Sequence, residues 1–171
     1  QGKIKKEIQE IKTGLQVDRI NAFEMSGDHL KAAEGYEKFV DQATSPREKE
    51  IALSNAFEAY VKTSDPSSVK RISQVWIHKF PKSARASEAI RGAATRYLVE
   101  EKYETSSELF LLLGNATQDP LPFETAARIL LGAGKTESAI EHMDTFDRKF
   151  SRSTRRGAMA RRLGWVYFKQ K

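Results

Sequence analysis

The chain has 171 residues, 39% of them hydrophobic and 30% charged, with 29 basic and 23 acidic side chains and a formal net charge of +6. That balance excludes a disordered or collagen-like chain, and the longest apolar run, Leu109–Leu113, is far short of the roughly 20 residues of a membrane span. With no cysteine there is no disulfide, no thiolate nucleophile and no Cys-ligated zinc or iron–sulfur site.

Apolar residues recur at spacings of 3, 4 and 7, the period of one face of a helix. The first predicted helix runs near 3–25 and stops at Ser26-Gly27-Asp28; the second, 29–43, stops at Thr44-Ser45-Pro46. The third, 47–62, is broken by Thr63-Ser64-Asp65-Pro66, where Ser64 or Asp65 caps the next helix and Pro66 enters its first turn. The fourth, 66–80, ends at Phe80-Pro81-Lys82-Ser83. The fifth, 83–99, and the sixth, 103–114, flank Glu100-Glu101-Lys102, and Gln118-Asp119-Pro120 closes that unit. The seventh, 121–131, and the eighth, 136–150, are separated by Gly132-Ala133-Gly134-Lys135, and Phe150-Ser151-Arg152-Ser153 precedes the ninth, 154–169. Proline lacks the N–H and clashes with the preceding turn, so the Pro-bearing segments mark helix boundaries.

The elements repeat. Phe23, Tyr60, Tyr97, Leu130 and Tyr167 share one position at intervals of 37, 37, 33 and 37 residues, and Ile20, Phe57, Ala94, Ala127 and Gly164 stand three residues earlier. In the second helix of each unit, Ala32, Val69, Ser106 and Ala139 form one column. Tyr36, Ser73, Phe110 and Met143 form the next, and Phe39, Trp76, Leu113 and Phe146 the third, so Trp76 reads as core. Small residues let helices approach closely and large ones fill the groove between them. One helix pair cannot bury its own apolar stripe, so pairs stack and share a core.

Leu163-Gly164-x2-Tyr167 matches the first-helix pattern of the tetratricopeptide (TPR) repeat, with Ala160 where a large residue is usual. Ala32-x3-Tyr36 and Ala139-x3-Met143 follow the second-helix pattern. The chain therefore resembles a TPR repeat protein over about residues 13–171. The resemblance implies an all-α fold, a right-handed α-solenoid of antiparallel helix pairs with about four and a half TPR-like repeats, in a single domain over residues 1–171. Phe80-Pro81-Lys82-Ser83-x2-Ala86-x2-Ala89, with Tyr97, Lys102-Tyr103 and Phe110, is similar to bacterial envelope TPR proteins of the outer-membrane assembly lipoprotein and cell-division coordinator type. That likeness implies a bacterial multiprotein assembly and a periplasmic or outer-membrane-associated setting. A start at Gln1 without Met or an apolar leader reads as a fragment of a longer chain or a processed form. The second unit departs most from the pattern, at Val69 and Ser73, and irregular packing is expected there.

Little in the chain points to catalysis. Gly132-Ala133-Gly134-Lys135-Thr136 looks like part of a phosphate-binding loop, but Ile129 stands where the first glycine is required and a helix precedes it. It reads instead as the turn between two helices, with glycine ending the first. His29, His78 and His142 lie in different units with no second histidine one turn away, and neither His-Glu-x-x-His nor Gly-x-Ser-x-Gly occurs. Glu100 and Glu101 are adjacent on a turn and point apart, which does not suit paired-carboxylate chemistry. Asn115-Ala116-Thr117 matches the short glycosylation pattern. The expectation is a chain that is not an enzyme and needs no cofactor or metal.

In TPR proteins the concave face, lined by the first helices, is the usual peptide site. The resemblance carries that face onto Val17, Asn21, Ser54, Asn55, Glu58, Arg91, Thr95, Glu124, Arg128, Arg161 and Trp165, with Asn21, Asn55, Glu58, Arg91, Thr95, Arg128, Arg161 and Trp165 as the partner-binding set. Arg91, Arg128 and Arg161 would form a ladder able to pair with carboxylates or phosphates, unless Glu58, Glu88 and Glu124 neutralise it. Some TPR proteins clamp a chaperone's C-terminal carboxylate; Asn21 and Asn55 fit that pattern, but Val17, Glu88 and Gly92 stand where basic residues are needed. Trp165 is either buried against the last helix or an anchor for a ligand peptide.

The basic excess is confined to one end. From Arg148 to Lys171 there are nine basic residues and no acidic one, so the remainder carries a net −3. A second reading is thus an anion-binding module for nucleic acid or acidic lipid, built on Arg152, Arg155, Arg156, Arg161 and Arg162. A third possibility is self-association through an exposed solenoid end at Leu163, Val166 and Tyr167.

Overall fold

The computed structural model describes the backbone of residues 2–169 and, in that span, every side chain except those at 2, 3, 5–10, 12, 13, 163, 166, 167 and 169. The described residues form nine helices and no strand: α1 (Gly2–Met25), α2 (His29–Gln42), α3 (Pro46–Thr63), α4 (Pro66–Lys79), α5 (Ala84–Val99), α6 (Tyr103–Thr117), α7 (Pro120–Gly132), α8 (Thr136–Lys149) and α9 (Arg156–Lys169). This is an all-α array of consecutive helices, four pairs followed by α9. No described helix is long and apolar enough to cross a membrane.

Capping chemistry sets the starts. Ser45 accepts from the Glu48 N–H while the Glu48 carboxylate accepts from the Ser45 N–H, a reciprocal box ahead of Pro46. Asp28 caps α2 through the Lys31 N–H, Ser83 caps α5 through the Ala86 N–H, and Asp119 accepts from the Leu121 N–H beside Pro120.

The stops of α1, α3, α5 and α7 obey a register of their own, while Gln118 (φ 54°) ends α6 outside it. Backbone φ is positive at Gly27 (78°), Ser64 (59°), Glu101 (59°) and Gly134 (73°), at the same 37, 37 and 33 intervals as the aromatic column. In three of the four turns the next N–H closes back on the column residue, as Asp28 to Phe23 (2.9 Å), Lys102 to Tyr97 (2.8 Å) and Lys135 to Leu130 (2.8 Å). These are left-handed helix terminations that satisfy the last carbonyls. In the remaining turn the Thr63 hydroxyl takes the Tyr60 carbonyl instead, at 2.7 Å. The glycine-rich stretch at 132–136 is thus a helix–helix turn, with Lys135 held by Glu104 at 2.8 Å.

Helix ends lie within three residues of their expected places; the largest shift is at α6, which runs through Gly114 to Thr117. Gly114 reads as a stop, but its job is spacing. A Cβ there would lie 2.4 Å from Phe123 Cδ2, so glycine allows α6 and α7 to meet. Val69 and Ser73 are fully buried at their column positions, so the departure in the second repeat changes side-chain size and not burial.

The chain divides into two compact units, Gln1–Ile72 and Ser73–Lys171, with the boundary inside α4. In the first, α1 packs on α2 and α2 on α3, around Ile20, Ala33, Val40, Leu53 and Phe57. Gly35 is needed where Ile20 crosses α2, since a Cβ would sit 2.7 Å from Ile20 Cγ1. A polar knot adds to this core. The Arg71 guanidinium grips both Glu37 oxygens, the second at 2.8 Å, and donates to the Tyr60 hydroxyl at 3.1 Å. That hydroxyl in turn donates to Glu37 at 2.9 Å, so α2, α3 and α4 are tied by one network. The Arg71 hydrogen bond holds the Glu37 carboxyl below its usual range, and burial followed by the adjoining carboxylate pushes Tyr60 up to about 12.

In the second unit α5 to α9 pack in sequence. Phe123, Ala127, Met143, Phe146 and Met159 form one buried cluster that joins α7, α8 and α9. Phe150 caps it with its ring edge-on to Phe123, centroids 5.2 Å apart. Hydroxyls finish the job on α6: buried Ser106 donates to the Ala94 carbonyl at 2.7 Å and Ser107 to the Ala126 carbonyl at 3.3 Å. Small residues at these contacts let the side chains reach a neighbouring backbone.

Candidate functional site

The repeat interval that aligns the aromatic column also aligns the odd-numbered helices. One column of that alignment is Val17, Ser54, Arg91, Glu124 and Arg161; a second, one turn later, is Asn21, Glu58, Thr95, Arg128 and Trp165. Every member of the second column is exposed, whereas Ser54 and Glu124 in the first are buried. This position stays exposed in all five helices while its residue type changes, so the core does not dictate it.

In the first unit this column leads to a polar cluster. The Tyr36 hydroxyl donates to Glu24 at 3.1 Å and lies 3.4 Å from the Asn21 side-chain oxygen. Burial first, then the Glu24 charge, pushes Tyr36 up to about 12, and Glu58 and Asn55 also act on it. Asn21, Asn55 and Glu58 are therefore gathered around one phenol. The Tyr36 ring belongs to an apolar column; nothing in its spacing announces the hydroxyl's role.

In the second unit the column leads to a cavity of about 760 Å³ between α7 and α9. Its walls include Arg128, Leu131, Ala158, Arg161, Arg162 and Trp165, with no acidic residue among them. Trp165 is 58% exposed and lines the cavity, so it is not buried against its own helix. Helix α9 is placed for this by Met159, which enters the aromatic cluster beneath, and by Glu124. That carboxylate, 6% exposed, accepts from Arg155 at 2.7 Å and from Arg162 at 3.2 Å. Two guanidiniums on a buried carboxylate satisfy its charge and tie the turn before α9 and the middle of α9 to α7.

The arginines of the ladder are thereby sorted. Glu124, one of the carboxylates that could have neutralised the ladder, pairs with Arg155 and Arg162 instead. Among the described residues Arg128 and Arg161 have no acidic partner. Arg91 and Thr95 sit on α5, outside the walls of this cavity, with the Thr95 hydroxyl donating to the Arg91 carbonyl at 2.9 Å. Of the basic terminal set, Arg156 pairs with Asp147 at 3.1 Å, and Arg152 lines a separate hollow with Lys149 and Phe150. Lys149 bonds to Asn115 and lies over the Phe123 ring at 5.6 Å. The apolar-end residues Leu163, Val166 and Tyr167 fall outside the described side chains. No three His, Asp or Glu side chains among the described residues are grouped to hold a metal ion.

No protein-family model matches the chain, and no curated protein matches its sequence. Among solved structures it is similar to a Podosopora anserina protein described as a kinesin light chain with nearly identical TPR-like repeats. The two share 13% identity at a TM-score of 0.42, over 91% of this chain and 85% of that one.

Proposed function

We propose that the chain is a non-catalytic scaffold that binds a peptide or protein segment on its odd-numbered helices, through Asn21, Asn55, Glu58, Arg91, Thr95, Arg128, Arg161 and Trp165. A TPR-like fold points to protein interaction in general. The observation that carries the reading further is the α7–α9 cavity, where Arg128, Arg161 and Trp165 converge. Exposed arginine and tryptophan in a hollow are the residue types that anchor protein partners. We read residues 1–171 as one repeat array, because the positive-φ register continues from Gly27 to Gly134. The setting we propose is a bacterial multiprotein or envelope assembly, on the strength of sequence resemblance alone, with self-association through an end of the array as a further possibility.

The alternative, a nucleic-acid or acidic-lipid site on Arg152, Arg155, Arg156, Arg161 and Arg162, has less support. Arg155 and Arg162 are engaged by Glu124 and Arg156 by Asp147, so the local field is partly neutralised.

The test is affinity capture from the source cell's lysate, with wild type beside an Arg91/Arg128/Arg161→Glu variant at low and moderate salt. A protein retained by wild type and lost from the folded variant supports the scaffold. Recovery of nucleic acid or lipid, released by moderate salt, supports the alternative. Equal retention by both forms overturns the assigned residues.

A further inference from the structure

Resting on that reading, we propose that the α7–α9 cavity takes an acidic peptide segment in which a carboxylate side chain lies next to an apolar one. The argument starts from charge. Arg128, Arg161 and Arg162 line the cavity without an acidic residue, and only Arg162 is engaged, by Glu124 behind the wall. Arg128 and Arg161 are left as two forks facing solvent across one hollow. A planar guanidinium matches a carboxylate with two parallel hydrogen bonds. Guanidinium–carboxylate pairing already occurs behind this wall, where Glu124 accepts one hydrogen bond each from Arg155 and Arg162.

The remaining wall is apolar. Trp165 and the half-buried Leu131 and Ala158 complete the lining. A purely electrostatic site would gain nothing from them, whereas a side chain beside the bound carboxylate would remove that surface from water. A cavity of about 760 Å³ falls in the range of roughly 300–1,000 Å³ that holds a small-molecule-sized ligand, which suits a short stretch of chain and not a whole helix. Glu124 is a positioning residue here: by holding Arg155 and Arg162 it fixes α9, so that Arg161 and Trp165 face α7.

The test is fluorescence anisotropy with four labelled probes. Three are short peptide sets pairing an apolar residue with Asp or Glu, with Asn or Gln, or with Lys or Arg; the fourth is an oligothymidine. The acidic set is expected to bind, with the amide set weaker by about tenfold or more, the loss of a charge-assisted bond. Arg128→Ala and Arg161→Ala should each weaken it by about tenfold and Trp165→Ala by several-fold, while Lys79→Ala leaves it unchanged and circular dichroism shows all four variants folded. Equal binding of the amide or basic set, still dependent on Arg128 and Trp165, overturns the acidic specificity and leaves the scaffold standing. Failure of all peptide sets, with a protein still captured in the lysate experiment, does the same. Oligothymidine binding that displaces the acidic set overturns the proposal and favours the nucleic-acid reading.

Discussion

The two units build the same repeat with different fastenings. In the first, two buried tyrosines from different columns end in hydroxyls that are tied by charges: Tyr60 to Glu37 and Arg71, Tyr36 to Glu24. In the second, the Tyr60 position holds Tyr97 in α5 and Leu130 in α7, and aromatic and methionine side chains fill the contact around α7. The exposed column changes with the core. Glu58 of α3 corresponds to Arg128 of α7, and buried Ser54 to buried Glu124. The lesson is that the scaffold tolerates a swap between polar and apolar fastening. The unit that joins α7, α8 and α9 through apolar groups leaves Arg128 and Arg161 exposed, with no acidic partner among the described residues.

The comparison breaks most visibly at Phe123. It is fully buried at the centre of the α7–α9 cluster, so Phe123→Ala should destabilise the second unit by about 3–5 kcal/mol, read by urea denaturation. Trp165 fluorescence should change with it, because Met159 anchors α9 in that cluster. Glu124→Ala should cost less, about 1–3 kcal/mol, because the two guanidiniums it leaves uncompensated are themselves partly solvated.

The first unit should answer to pH through its half-buried Glu37–Tyr60–Arg71 network. Glu37 has its folded pKa held below the usual 4.5, so its contribution is fully present above that value and is lost as pH falls through the lower, folded one. Tyr60 is shifted the other way, from 10.0 to about 12, so its contribution is intact below pH 10.0 and disappears as pH rises toward about 12. Tyr60→Phe should cost about 1 kcal/mol at neutral pH, the value of one hydrogen bond. It should also remove Tyr60's share of the alkaline decline, leaving that of Tyr36, in a thermal-melt series across pH.

The smallest effect concerns the turns shared by both units. Ser64 and Glu101 occupy left-handed positions that Gly27 and Gly134 fill elsewhere. Ser64→Gly and Glu101→Gly should each stabilise by about 0.5–1 kcal/mol through relief of that conformation, and Gly134→Ala should destabilise by a similar amount. A rise in Tm for the first two and a fall for the third would establish the turn register.

Most of the architecture could be read from the residues because it is locally encoded. Proline and capping residues bound the helices, and the buried columns follow helical spacing. Two glycines mark the left-handed turns at residues 27 and 134, but Ser64 and Glu101 hide theirs, since neither residue type prefers that conformation. Gly114 misleads in the opposite direction, because a glycine that permits close packing looks the same in sequence as one that ends a helix. At the site, Arg128, Arg161 and Trp165 could be named from their repeat positions, and they do share one cavity. The partners of the charges could not be named. Glu124 lies 31 and 38 residues from Arg155 and Arg162, and only the packing of α9 on the α7–α8 core brings them together. The Tyr36 hydroxyl is missed for a related reason, since an apolar column predicts a ring and not what its far end touches.

The central claim is that recognition belongs to the α7–α9 cavity. Its most direct test is to place a photo-crosslinking amino acid at Trp165, in the cavity wall, and separately at Val99, exposed at the end of α5. Each protein would be irradiated in the source cell's lysate. The account predicts a discrete protein adduct at position 165, absent at 99 and competed away by the acidic peptide set. An adduct at 99 alone, or one at 165 that Arg128→Ala and Arg161→Ala leave undiminished, would contradict it.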